Sequence, residues 1–133
     1  MALPSLIPIA YEAGYRTDRI GRYQDGLFYA NAWDHHAYVH LFDHAGAYRE
    51  STIIRVPDRS LLDPTLDELL APLPGKEYGD IAVHLFRIEH DGVTFGLIDE
   101  SGDRAEDGDH IDWVELHPDR LGFSEPWDGL YST

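Results

Sequence analysis

The chain has no cysteine. That excludes disulfides, a thiol nucleophile and thiolate metal sites, and it suits a reducing compartment. Also missing are the short signatures of familiar catalytic machinery: no GxSxG elbow, no phosphate-cradling glycine loop, no HExxH and no dinucleotide fingerprint. There is no internal repeat, and no low-complexity stretch apart from one acidic loop. Basic side chains become scarce past residue 60: residues 1 to 60 carry 7 acidic and 6 basic groups, residues 61 to 133 carry 18 and 4. The second half therefore holds almost all of the net charge of -15. Such a field repels nucleic-acid phosphates and anionic membrane surfaces and speeds encounter with a basic partner, so neither nucleic acid nor membrane is an expected partner. The opening MALPSLIPIA is apolar but carries no basic side chain, and Pro4 and Pro8 interrupt it. Neither a signal peptide nor a membrane span is expected from it, which points to a cytoplasmic protein.

What remains reads as one domain, residues 1 to 133, with 43% apolar and 12% aromatic residues, enough for a single core. Its clearest element is IAVHLFRIEHDGVTFGLI, Ile81 to Ile98. Asp91-Gly92 between two runs of β-branched and aromatic residues predicts a hairpin with a two-residue type I′ loop, because both loop positions need φ > 0. The register follows: Ile88 faces Phe95 and Phe86 faces Leu97 on one apolar face. An isolated hairpin is marginal in water, so the rest of the chain must cover it.

In chain order, Pro4 and Pro8 forbid a regular helix at the start, and Leu6, Ile7, Ile9 and Tyr11 are placed along a sheet edge. Arg16, Arg19 and Arg22 are expected to pair with the protein's own carboxylates. Ile20 to Tyr23, Leu27 to Trp33, Ala37 to Phe42 and Tyr48 to Arg55 read as an antiparallel meander. A short helix follows, with Asp63 as N-cap, Pro64 at its first position, and Leu66, Leu69, Leu70 and Leu73 against the sheet. Ile111 to Leu116 reads as a last strand, and the tail with Leu121, Phe123, Trp127, Leu130 and Tyr131 is too apolar to be free. The fold class expected is α+β: a mainly antiparallel sheet of about six or seven strands, in meander and hairpins, with one short helix packed on it.

Three groups of side chains invite a functional reading. His36, His40 and His44 are spaced by four, but on a strand that spacing is roughly 13 Å, too far to share one ion. Asp34-His35-His36 gathers only if the turn at Trp33 folds it inward. The loop DESGDRAEDGDHID, residues 99 to 112, holds seven carboxylates and one arginine. As an EF-hand it fails, since position 3 is Ala105 and position 12 is Val114, but a looser Ca²⁺ or Mg²⁺ site remains open, and a divalent cation is the one cofactor considered. His84 and Asp99 fall opposite one another in the hairpin register, as an acid/base or pH-sensing pair or as a cross-strand pair closing the core. Trp113 is expected inside, and Trp127 is the aromatic left for a contact surface.

IPIAYEAGYRTDRIGRYQDGLFY, LPGKEYGDIAVHLFRIEHDGVTFGL and WVELHPDRLGFSEPWDGLY cover more than half the chain. Together they resemble a family of small bacterial proteins labelled "formate hydrogenlyase regulatory protein". The resemblance implies a cytoplasmic regulator and carries no catalytic signature. The function expected is an intracellular protein-binding module, a regulator or an immunity-type inhibitor, presenting Asp103, Glu106, Asp107, Asp109 and Trp127 to a basic protein partner. The alternatives are a small metal-dependent enzyme or ligand-binding domain using the histidines and acidic loop, and a structural subunit.

Overall fold

The computed structural model describes residues 3–103 and 110–131. Its largest sheet is the expected meander. β1 (Ile7–Ile9) stands apart from it, whereas β2 (Ile20–Tyr23), β3 (Gly26–Trp33), β4 (His36–Phe42) and β5 (Tyr48–Arg55) run antiparallel in sequence. After α1 (Leu62–Leu70), β6 (Glu77–Tyr78) returns beside β2 and completes the order β5-β4-β3-β2-β6. β7 (Ile81–Val83) pairs with β1 in a separate two-stranded ribbon. β8 (Phe86–His90) and β9 (Val93–Asp99) form the Asp91-Gly92 hairpin. β10 (Gly102–Asp103) and β11 (His110–Ile111) pair with each other, and β12 (Val114–His117) and β13 (Leu121–Phe123) complete a second sheet, ordered β13-β12-β9-β8.

Alternation of side chains builds two core layers from the meander. Phe28, Ala30, Ala37 and Val39 face one way and are covered by Leu66 and Leu70 of α1, whose spacing of four places them on one helix face. Ile20, Tyr29, Tyr38 and Phe42 face the other way, where Phe95, Leu97, Val114, Leu116, Leu121 and Phe123 of the second sheet meet them. Burying each of the valine, leucine, isoleucine and phenylalanine side chains among these is worth about 1.5–3 kcal/mol. The result is an α+β fold with a helix on a five-stranded sheet and a four-stranded sheet on its other side.

Asp91 and Gly92 both have positive φ, 50° and 76°, and Phe86 opposes Leu97 while Ile88 opposes Phe95 as the loop requires. The strand is not continuous to Ile81, however. His84 and Leu85 interrupt it, and the phase slips: Ile81 and Val83 are buried before the break, Phe86 and Ile88 face the core after it. The helix also begins earlier than Asp63. Asp58 accepts a hydrogen bond from Ser60 N at 2.9 Å and caps a 3₁₀ turn, Arg59–Leu61, which leads into α1 at Leu62. Pro64 thus sits within the first turn, where its missing N–H has no helical partner to lose. Two of the three N-terminal arginines pair with the chain's own carboxylates as expected, Arg19 with Asp18 and Asp63 and Arg22 with Glu77, whereas Arg16 donates to the Asp119 carbonyl. Among the described residues no helix is long and apolar enough to cross a membrane.

Candidate functional site

Chemistry-bearing side chains gather in two places, one on the outer face of the four-stranded sheet and one between the sheets. The β9–β12 ribbon continues past its last paired residues. Glu100 N donates to the Trp113 carbonyl at 2.8 Å, Trp113 N donates to Ser101 Oγ at 2.9 Å, and Gly102 and Asp103 then pair with Ile111 and His110. The ribbon therefore carries Asp103 and His110 to its end, and the sequence that joins them contains Glu106, Asp107 and Asp109. Those three expected partner-binding residues lie outside the described residues, and of Asp103 the backbone alone is described.

At the base of the ribbon Val114 and Leu116 face the core, which turns Glu115 and His117 outward. Glu115 Oε2 accepts a hydrogen bond from Arg120 Nε at 2.6 Å, and Oε1 accepts one from Trp113 Nε1 at 2.9 Å. Burial pushes the Glu115 carboxyl up, but the bonds from Arg120 and Trp113 outweigh it and hold the group below its ordinary value. His117 Nε2 stands 3.4 Å from Glu100 Oε1 and 3.6 Å from Glu115 Oε2, without an aligned hydrogen bond to either. The Trp113 ring lies on Gly122, where a Cβ would come within 1.9 Å of it. Gly122→Ala is expected to cost about 1–3 kcal/mol by displacing that ring, read as a lower urea midpoint with an altered tryptophan emission spectrum.

Trp113 and Trp127 are both half-buried. Trp113 lies on the outer face against Gly122 and Glu115, while Trp127 is half-buried against the main core. Trp127 N donates to Ser124 O, and Ala10 N donates to Gly129 O, so the tail turns back onto β1 and carries Trp127 inward. This reduces what Trp127 offers a partner.

The interior site lies on the inner face of β3 and β4, where Tyr29, Asn31, His36, Tyr38 and His40 project together. His40 is buried; its Nδ1 is 2.6 Å from Ser51 Oγ, which is 2.8 Å from the Tyr48 hydroxyl. Burial holds its pKa down to about 3, so the ring is neutral. His36 is also buried, between Trp33 and Phe95, and among the described residues neither of its nitrogens has a hydrogen-bond partner. His44 stays in the loop after β4 and donates to the Gln24 carbonyl at 3.0 Å. The three histidines therefore do not converge, as strand spacing implied. Asp34 turns out to Arg59 at 2.9 Å, and His35 Nδ1 donates to the Val56 carbonyl at 3.2 Å, so the Trp33 turn gathers no ligand set. Among the described residues no group of three or more His, Asp or Glu is arranged to hold a metal ion.

His84 and Asp99 do not meet. The hairpin register ends at Phe86 opposite Leu97; beyond it His84 N donates to the Gly46 carbonyl, next to the β1–β7 ribbon. Asp99 pairs with Val114 across β12, and its carboxylate accepts Ser101 N at 2.9 Å. Hydrogen bonds from Ser101 hold its carboxyl below the ordinary value. The residue that the sequence did not single out is Asp119, in the turn His117–Arg120, which reaches the inner face of β3. Its only sequence signal is a polar His-Pro-Asp-Arg turn between the apolar runs of β12 and β13.

The fold and these two sites define an α+β sandwich whose outer ribbon is acidic and whose inner layer is polar and aromatic. Neither a protein-family model, a curated protein nor a solved structure matches the chain.

Proposed function

We propose that this chain is an acidic protein-binding module, a regulator or immunity-type inhibitor, whose C-terminal half engages a basic protein partner such as a nuclease or nucleic-acid-binding protein. The observation that supports it most is how the cations are spent. Arg19, Arg22, Arg59, Arg87 and Arg120 each stand within 4 Å of one of the chain's own carboxylates. Residues 99 to 128 hold 11 carboxylates against 2 arginines, one of which is Arg120, already bound to Glu115. The excess negative charge is thus concentrated in one stretch of the sequence. Such a concentration of charge steers a basic partner in quickly and in a salt-sensitive way.

The test is a pull-down at low ionic strength, eluted with a salt gradient, beside a variant neutralised at Asp103, Glu106, Asp107 and Asp109. A basic protein that elutes at moderate salt, and whose purified form binds the variant at least about tenfold more weakly, is the expected result. Equal affinity for parent and variant would overturn the proposal. Acidification toward pH 5.5 is expected to weaken that binding, because proton uptake, by Asp119 among others, reduces the net negative charge. His40 does not contribute, because burial keeps it neutral there.

A further inference from the structure

The turn between β12 and β13 places a carboxylate in the layer between the sheets. Asp119 lies in the turn that joins two strands of the four-stranded sheet, yet its Oδ2 accepts a hydrogen bond at 2.9 Å from Asn31 Nδ2 on the five-stranded sheet. From the loop between β1 and β2 the Arg16 guanidinium donates to the Asp119 carbonyl at 2.9 Å. The Asn31 amide also stands 3.2 Å from the Tyr29 hydroxyl and 3.3 Å from the Arg16 carbonyl. One residue thus ties the turn to β3 and to the N-terminal loop. Its second carboxylate oxygen, Oδ1, is buried with no hydrogen-bond partner among the described residues, and so are the Tyr38 and Thr17 hydroxyls. A buried, half-satisfied carboxylate is costly when ionised and far less so when it holds a proton.

We infer that Asp119 is a proton-operated latch: protonated, it holds the β12–β13 turn against the five-stranded sheet; ionised, it loosens that turn and the C-terminal segment after it. The groups that face it are few. β3 contributes Tyr29 and Asn31, β4 contributes Tyr38, and the N-terminal loop contributes Arg16 and Thr17. Burial holds both tyrosine hydroxyls well above their usual value, so they stay neutral. On its own turn, Arg120 and His117 face Glu115 and Glu100 instead. Among the described residues Arg16 is the one cation acting on the carboxyl. Burial raises Asp119 to about 6 against the pull of Arg16, which puts the transition near neutral pH.

The experiment is carbon-13 NMR of the carboxyl groups in the full chain from pH 4 to 8, with amide exchange at Arg120, whose N–H is bonded to Leu116 O. Asp119 is expected to titrate near 6. The Arg120 protection factor, corrected for intrinsic exchange, is expected to fall roughly tenfold from pH 5 to 7.5. In Asp119→Asn that fall disappears. In Asn31→Ala, which removes the donor to Oδ2, the midpoint rises. A midpoint near that of an exposed aspartate, or protection in the parent chain that does not change across the midpoint, would overturn the latch. Both readings come from the parent chain and stand even if a variant fails to fold.

Discussion

Phe95→Ala is expected to remove about 3–5 kcal/mol of stability, the range for truncating a buried phenylalanine. Phe95 is fully buried in β9, with its ring edge-on to Tyr38 at 5.0 Å, to His36 at 6.2 Å and to His40 at 6.3 Å. Together with Phe86, whose ring meets His40 at 5.0 Å and Phe42 at 5.3 Å, it brings the four-stranded sheet onto β4. Its loss removes a large apolar surface and leaves a void whose walls are held on two sheets, so little collapse can offset the cost. For a domain of this size the expected fall in Tm is about 10–20 °C. Urea unfolding should show the midpoint falling with the slope unchanged. Leu130→Ala is the control: that side chain is 55% exposed, and its removal should stay within about 0.5 kcal/mol. A Phe95→Ala loss below about 1 kcal/mol would mean that the sheets do not pack through this ring.

Local chemistry made much of the fold legible. Ile20–Tyr23 and Tyr48–Arg55 are strands with the bounds read from the residues, because turn formers flank alternating β-branched and aromatic side chains. Asp91-Gly92 set a register that holds over β8 and β9, since a two-residue loop leaves no freedom. Where both faces of a run are apolar, alternation says nothing about phase. Ile81, Val83 and Leu85 compete with Ala82, Phe86 and Ile88, so the slip at His84–Leu85 was invisible, and with it the separation of His84 from Asp99. His36, Tyr38, His40 and Phe42 share one face of a strand, and that period of two held the signal that two histidines are buried among aromatics. Asp119 had no such signal. Its carboxylate is bonded to Asn31, 88 positions away, and pairing at that range leaves no local pattern.

Asp119→Asn and His40→Gln are expected to change the pH dependence of stability by about 3 kcal/mol each between pH 7.5 and 4, in opposite directions. Burial lowers His40 from 6.5 to about 3 in the fold. The unfolded chain takes up a proton below 6.5 that the folded chain refuses, so this contribution is complete above 6.5 and is lost as pH falls toward 3. Asp119 behaves in reverse. Burial raises it from 3.8 to about 6, so the folded chain keeps a proton the unfolded chain has released. Its contribution is complete below 3.8 and is lost as pH rises through 6. Between about pH 4 and 6 the two slopes oppose, each worth about 1.4 kcal/mol per pH unit. Relative to the parent, His40→Gln should gain stability on acidification, and Asp119→Asn should gain it toward neutral pH. Urea titrations at pH 7.5, 6, 5 and 4 measure both; curves that merely run parallel to the parent's would refute the assignments. Tyr29 lies between the sites, stacked on His40 at 6.2 Å and 3.2 Å from the Asn31 amide that binds Asp119. Any departure of the double variant from additivity therefore measures how strongly that tyrosine couples the two protons.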